Sequence, residues 1–339
     1  MGQLTIIFAR VLQAIPTIFG IVVVTFLLTR ALPGDPAAYF AGASATPESI
    51  AEIRTKLGLD QSLPVQFVTY LKDLATGNLG QSISTGQPVT TELLRRLPAS
   101  LELTLFALLL SVAVAIPLGV LAAVHQDTWI DQICRLIVTA GVSLPTFFTG
   151  LLLIYVFYFL LGVAPAPLGR LDMLHIAPPQ VTGFLVLDGL IAGEWATAWS
   201  AFKQLLLPSI TLALFTLAPL ARMTRAAMLQ ALASEYLRTA RAAGLSRKQV
   251  LMVYAFRNAM LPIITTLGMV FSFTLGANVL VEKVFAWPGI GSFAIEALVV
   301  SDYAAVQGFV LSMAVLFVLL NLVIDTVYTL VDPRVRIEG

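Results

Sequence analysis

The chain has 339 residues, of which 58% are hydrophobic and only 12% charged, with a mean hydropathy of +0.90 and a formal net charge of +1. A soluble domain carries roughly 25% charged residues, so this composition belongs to a chain that exposes apolar surface to lipid, and its near-zero net charge says nothing about nucleic acid or acidic partners. Cys134 is the only cysteine and His125 and His175 are the only histidines, which excludes an intrachain disulfide and a cysteine metal site and leaves no histidine set for a metal or an activated nucleophile.

Apolar segments predict six spans near the roughly 20 residues a bilayer crossing needs: residues 11–29, 103–124, 133–161, 205–220, 261–281 and 304–330. The first follows Arg10 and has "ASA" downstream at residues 43–45, a superficial signal-peptide pattern. Its apolar core exceeds the roughly 7–15 residues of a signal peptide and the small-residue site lies too far away, so it reads as a retained span. Pro16, Pro117, Pro145, Pro208 and Pro219 sit in or near spans, where neighbouring helices re-satisfy freed carbonyls.

Residues 30–97 read as a helical insert. In "ATPESIAEIRTKLGL", Thr46 suits an N-cap, Pro47 the first helical position, Glu48 the positive helix end and Gly58 the stop. "LPVQFVTYLKDLATG" repeats the scheme with Pro64 early and Gly77 late, and the Gly- and Ser-rich run up to Pro88 reads as loop. The organisation predicted is residues 1–29 as N-terminus and first span, 30–97 as the insert, and 98–339 as a core with five spans.

Orientation follows the Lys/Arg bias of short loops. With the N-terminus inside, the inner segments hold Arg10, Arg135, Arg222, Arg225, Arg238, Arg241, Arg247, Lys248, Arg257, Arg334 and Arg336. The short outer loops hold Arg170, Lys203 and Lys283, and an even number of spans returns the C-terminus inside. Glu102 and Asp325 fall near span ends, where a structural role suffices. Asn278, polar and inside the fifth span, is the candidate for a substrate pathway, weighed against interhelical hydrogen bonding. "WPGIG" (287–291) reads as a turn into a short outer helix from Ser292.

The inner interval 222–262 is the most informative. The fourth span runs on through "ARMTRAAMLQALASEYLRTARAAG", with Leu229, Leu232, Tyr236, Ala240 and Ala243 on one apolar stripe. Glu235 is within pairing reach of Arg238, and Arg241 also lies off the stripe. Gly244 stops the helix, and Ser246 with Gln249 forms an S-x-x-Q capping box that starts the next one at once, continuing to Pro262. The plain alternative is a basic loop that only sets topology. A helical loop capped on both sides of its turn, with a stripe that needs a packing partner, reads instead as a rigid elbow rooted in two spans: a lever.

"EYLRTARAAGLSRKQVLMVYAFRNAMLP" (235–262) resembles the EAA loop of importer-type ABC permeases, with Glu235, Ala242, Gly244, Leu261 and Pro262 in the motif positions. "PGDP" (33–36), "LPASLELT" (97–104), "PLGVLAAV" (117–124), "RMTRAAML" (222–229), "FAWPGIG" (285–291), "DYAAVQG" (302–308) and "TGFLVLDGLIAGE" (182–194) are similar, in order, to the dipeptide/oligopeptide permease family, most of all its B-type dipeptide subunits. Ala243 departs from a common lysine, and His125 and Gln126 from basic residues.

The resemblance implies an all-α membrane protein of the ABC importer type I permease fold, multi-pass in the bacterial inner membrane with both termini cytoplasmic. It implies a heterodimer with a second homologous permease, two ATPase subunits and a periplasmic substrate-binding protein. The chain would then be no enzyme and hold no cofactor; ATP and Mg would reside in the ATPases, and no phosphate loop GxxxxGK[ST] occurs here. Glu235, Arg238, Arg241, Ala242, Gly244, Leu245 and Ser246 would form the ATPase-coupling segment. Oligopeptides, glutathione, nickel complexes and haem are alternative substrates of the same architecture. A stand-alone ion-coupled transporter would want charges at span centres, and an intramembrane hydrolase a base beside Ser143 or Ser272; the sequence offers neither.

Overall fold

In the computed structural model, residues 3–31, 35–42 and 45–331 are described, with the side chains of all of these except 3–11, 14, 36, 39, 40, 325 and 327–331. The side chains of Arg10 and Asp325, most of the PGDP motif, and Arg334 and Arg336 therefore lie outside the described residues.

In chain order the helices are α1 (Gln3–Ala31), α2 (Pro36–Ala41), α3 (Pro47–Lys56), α4 (Leu63–Ala75), α5 (Val89–Val124), α6 (Trp129–Gly141), α7 (Thr146–Leu153), α8 (Leu185–Ile191), α9 (Trp195–Leu232), α10 (Glu235–Ala242), α11 (Arg247–Gln249), α12 (Phe256–Val284), α13 (Ile290–Val299) and α14 (Tyr303–Val331). π-Helical turns follow α7 (Ile154–Leu160) and α11 (Val250–Ala255). Among the described residues the β pairing is an isolated antiparallel bridge between Gln81 and Pro88.

Four helices among the described residues are long and apolar enough to cross a membrane: Val89–Val124, Trp195–Leu232, Arg247–Val284 and Tyr303–Ile324. The third predicted span is not one rod. Trp129–Gly141 and Thr146–Leu160 meet at 97°, a broken span or a re-entrant loop. The break falls at "VSLP", where Pro145 precedes α7 with an extended ψ of 141°; proline ends a helix by removing a donor and restricting the residue before it. The first predicted span lies on α1, whose described apolar stretch, Ile15–Ala31, is shorter than the others.

The chain divides into two compact units, Met1–Ser100 with Pro288–Val318, and Leu101–Trp287 with Leu319–Gly339. In the first, Thr46 Oγ1 accepts from Ser49 N at 3.3 Å to cap α3, and Gly58 and Gly77 carry positive φ after α3 and α4. Val89, Leu93, Ile290, Phe293, Ala297 and Ala305 form its core. Buried Asp302 caps α14 through Ala305 N and accepts from Ser82 Oγ at 2.7 Å, which ties the 78–88 loop down.

In the second unit, α12 packs along α9, and α6, α7 and α8 also lie against α9. Gly119 permits the approach of α5 to α9. A Cβ there would sit 2.8 Å from the Ala221 carbonyl oxygen and 2.6 Å from Thr224 Cβ, the small-residue contact that lets membrane helices close up. Ala218, Leu220, Met228, Leu237, Ala255 and Ala259, each at most 1% exposed, belong to the core that runs to the C-terminal end of α9.

Candidate functional site

The site is the elbow between α9 and α12, and two of its three boundaries differ in kind from the sequence expectation. α9 does not run on to Gly244. It ends at Leu232, Ala233 and Ser234 form a break, and Ser234, extended at ψ 149°, starts a separate helix, α10. The break resets the helical phase. Tyr236, predicted on the apolar stripe, is 43% exposed and Ala243 is exposed, whereas Leu237 (0%) and Ala240 (8%) face the core. Burying a leucine side chain stabilises by roughly 1.5–3 kcal/mol, so Leu237 is the main anchor of α10.

The outward face of α10 carries Glu235, Arg238, Arg241 and Ala242, all exposed. Glu235 stands in the first turn and Arg241 in the last, the arrangement the helix dipole favours. Arg238 Nη1 donates to both Glu235 carboxylate oxygens, at 3.0 and 3.2 Å. With side chains 72% and 82% exposed, this pair contributes little to stability but fixes the charge pattern of the surface.

The turn is closed from both sides. Leu245 N donates to Ala240 O at 3.3 Å and Gly244 N to Arg241 O at 3.0 Å, the paired bonds of a Schellman stop. Gly244 takes φ +78°, and a Cβ placed there meets nothing within 4 Å, so its requirement is conformational and not one of space within this chain. Leu245 packs onto the core. Ser246 Oγ accepts from Gln249 N at 3.3 Å, and Gln249 Oε1 accepts from Ser246 N at 3.1 Å, a complete capping box. The helix that follows is unbroken to Val284 by length and composition. Pro262, read in the sequence as the point where the span begins, lies inside α12, and the local irregularity is the π turn over Val250–Ala255 instead.

The C-terminal half of α9 is held by an ion pair the sequence did not reveal. Arg225 donates in fork geometry to Asp131 on α6, Nε to Oδ1 at 2.9 Å and Nη2 to Oδ2 at 2.7 Å, and Asp127 N adds a bond at 3.2 Å. Asp131 is fully buried and Arg225 half-buried. A fork-to-carboxylate pair fixes orientation as well as distance.

Asn278 lies elsewhere, about 45 Å further along the same helix at 1.5 Å per residue. It is 2% exposed, and its Nδ2 donates to Thr104 Oγ1 on α5 at 3.2 Å and to Glu282 Oε1 at 2.9 Å. The first bond is interhelical and the second lies within α12, so Asn278 ties α12 to α5. Glu102 is likewise structural: it pairs with Arg170 and accepts from Val186 N at 3.0 Å, and Arg170 also donates to Gly183 O at 2.8 Å.

Apolar helices long enough to span a bilayer, joined by a capped and anchored elbow with an outward charged face, define an all-helical, multi-span membrane protein. Residues 115–337 match the family described as binding-protein-dependent transport system inner membrane component, and residues 3–104 match the N-terminal region described for the same systems. The chain belongs to this family of membrane permeases and is a multi-pass inner-membrane protein. It is 43% identical over 94% of its length to a probable D,D-dipeptide transport system permease protein of Escherichia coli K12, 94% of which is covered. It is 42% identical over 98% of its length to a di/tripeptide transport system permease protein of Pseudomonas aeruginosa, 99% covered, and 38% identical over 96% to a dipeptide transport system permease protein of Alkalihalophilus pseudofirmus, 98% covered.

Proposed function

We propose that this chain is one permease subunit of an ATP-driven importer for dipeptides or short peptides delivered by a periplasmic binding protein, forming half of the pathway with a second, homologous permease. Two ATPase subunits bind and hydrolyse ATP with Mg; this chain holds no cofactor and converts their closure into a movement of its spans. Six spans with both termini cytoplasmic and the 30–97 insert outside give the arrangement in which the elbow meets the ATPases. The observation that carries the reading is the elbow itself. Leu237, Ala240 and Leu245 root it in the core, while Glu235, Arg238, Arg241 and Ala242 stay exposed. A rigid element with one anchored and one uncommitted face transmits a push from a partner as a body, the way interfaces switch between packed states. Gly244 sets the angle between the face and the span, and Ser246 fixes where the following helix begins. The peptide class rests on the named roles of the relatives; oligopeptides, glutathione, nickel complexes and haem fit the same architecture.

The test combines topology with transport. An impermeant thiol reagent applied from outside should label Ser62→Cys and not Ser246→Cys. Gly244→Val should insert normally yet lose most uptake of a labelled dipeptide, because a side chain in left-handed backbone costs roughly 1–2 kcal/mol and shifts the turn. Labelling of Ser246→Cys from outside, or normal uptake by Gly244→Val, returns the interval to a loop that only sets topology.

A further inference from the structure

Beside the elbow, the inner end of α5 and the first turns after Ser246 enclose a groove of about 840 Å3. Val120, Leu121 and Val124 make one wall and Leu251, Met252 and Phe256 the other. Leu121 is 43% and Met252 50% exposed, so this chain leaves the groove uncovered. Its polar residues are the cationic pair Arg247 and Lys248 together with His125, whose Nδ1 lies 3.1 Å from the Leu121 carbonyl. Among the described residues neither Arg247 nor Lys248 forms an ion pair with a carboxylate.

The placement of these two cations is costly within the chain alone. They occupy the first turn of the helix capped by Ser246, the positive end of the dipole, where anions are favoured and cations are not. An anion there would be attracted by both side chains and by the helix end. Hydrocarbon along the walls and uncompensated positive charge at the rim together match one chemistry, an amphiphile with an anionic head. We infer that the groove seats an anionic phospholipid of the inner leaflet, its phosphate against Arg247 and Lys248 and an acyl chain between Leu121 and Met252. Basic pockets between membrane helices on the cytoplasmic side take such head groups. The lipid would then brace the helix that carries the elbow at the point where the elbow joins it. This rests on the proposed orientation, with the elbow inside.

The experiment offers the purified full-length chain equal amounts of phosphatidylglycerol and phosphatidylcholine in detergent and counts retained lipid by native mass spectrometry. The wild type should retain phosphatidylglycerol in preference. Each basic residue near the phosphate contributes roughly fivefold, so Arg247→Gln with Lys248→Gln should weaken retention by roughly 25-fold. Leu121→Trp, which fills the groove and keeps both charges, should reduce retention as well and guards against a purely diffuse charge effect. Equal retention of the two lipids, or unchanged phosphatidylglycerol retention in both variants, would overturn the site. So would a photocrosslinker at Met252 that reaches a protein subunit in native membranes and no lipid, since the groove would then be a subunit interface. The orientation stands or falls separately: outside labelling of Ser246→Cys with lipid selectivity intact would remove the inside assignment and leave the anionic-lipid site.

Discussion

Two connecting segments of the second compact unit handle charge in opposite ways. Between α7 and α9, Arg170 and Asp188 are turned inward, Arg170 toward Glu102 on α5. Glu102 and Arg170, with side chains 6% and 16% exposed, pair with each other and with loop backbone, Arg170 also lies over the Trp287 ring, and Asp188 on α8 accepts from Thr182 and Gly183. In the elbow the order is reversed: Leu237, Ala240 and Leu245 face in, while Glu235, Arg238, Arg241, Arg247 and Lys248 face out. A segment locked by one buried ion pair and a hydrogen-bonded carboxylate has spent those charges on its own conformation. A segment locked by apolar burial keeps them for another molecule. The contrast marks the elbow as the segment that keeps its charges exposed.

That contrast can be broken from either side. The largest effect is expected at Glu102. Glu102→Ala leaves Arg170 half-buried without its carboxylate, and removing one partner of a buried pair costs about 3–5 kcal/mol; the lower end applies because Arg170 reaches some solvent. A thermal-stability assay in detergent should show a marked loss, and a variant as stable as wild type would mean the α7–α9 segment does not depend on its inward charges. Leu237→Ala comes next. Deleting a fully buried leucine costs about 2–5 kcal/mol, and because the loss falls on the anchor of α10, uptake should drop more than the amount of inserted protein. Equal falls in both would make α10 part of the general core and no lever.

A pH effect of smaller size is expected at Asp188. Burial works to raise its carboxyl, but the hydrogen bonds from Thr182 and Gly183 outweigh that and hold it below the ordinary carboxylate range. A carboxyl depressed in the folded state stabilises above its unfolded value, and that contribution disappears as pH falls through the folded value. Asp188→Asn should therefore flatten the acid limb of the stability profile, and an unchanged acid limb would remove Asp188 from the account. The smallest effect should come from Glu235→Ala, which loses only an exposed ion pair; stability should stay at the wild-type level while uptake falls modestly.

The turn chemistry was legible because it is local. Thr46, Gly58, Gly77, Gly244 and the Ser246–Gln249 box each act within a few residues of themselves, and all take the predicted geometry. The break at Ala233–Ser234 was not, because no glycine or proline marks it and Ser234 alone is a weak start signal; the missed break put Tyr236 on the stripe in place of Leu237, while Ala240 stayed on it. The 97° bend within the third span had a visible cause in Pro145, yet proline inside membrane helices is often absorbed, so the residue alone does not fix the outcome. The clasps Glu102–Arg170 and Asp131–Arg225 join residues 68 and 94 positions apart, and no local pattern encodes such a pairing.

The central claim is that the outward face of α10 meets the ATPase and moves with it. The native cysteine, Cys134, is buried, so a single thiol can be placed on that face with Arg241→Cys. In native membranes a short bifunctional thiol reagent should join this position to an ATPase subunit, and the crosslink should stop uptake of labelled dipeptide, restored when a cleavable linker is reduced. No ATPase adduct at Arg241→Cys, or an adduct that leaves uptake unaffected, would contradict the lever.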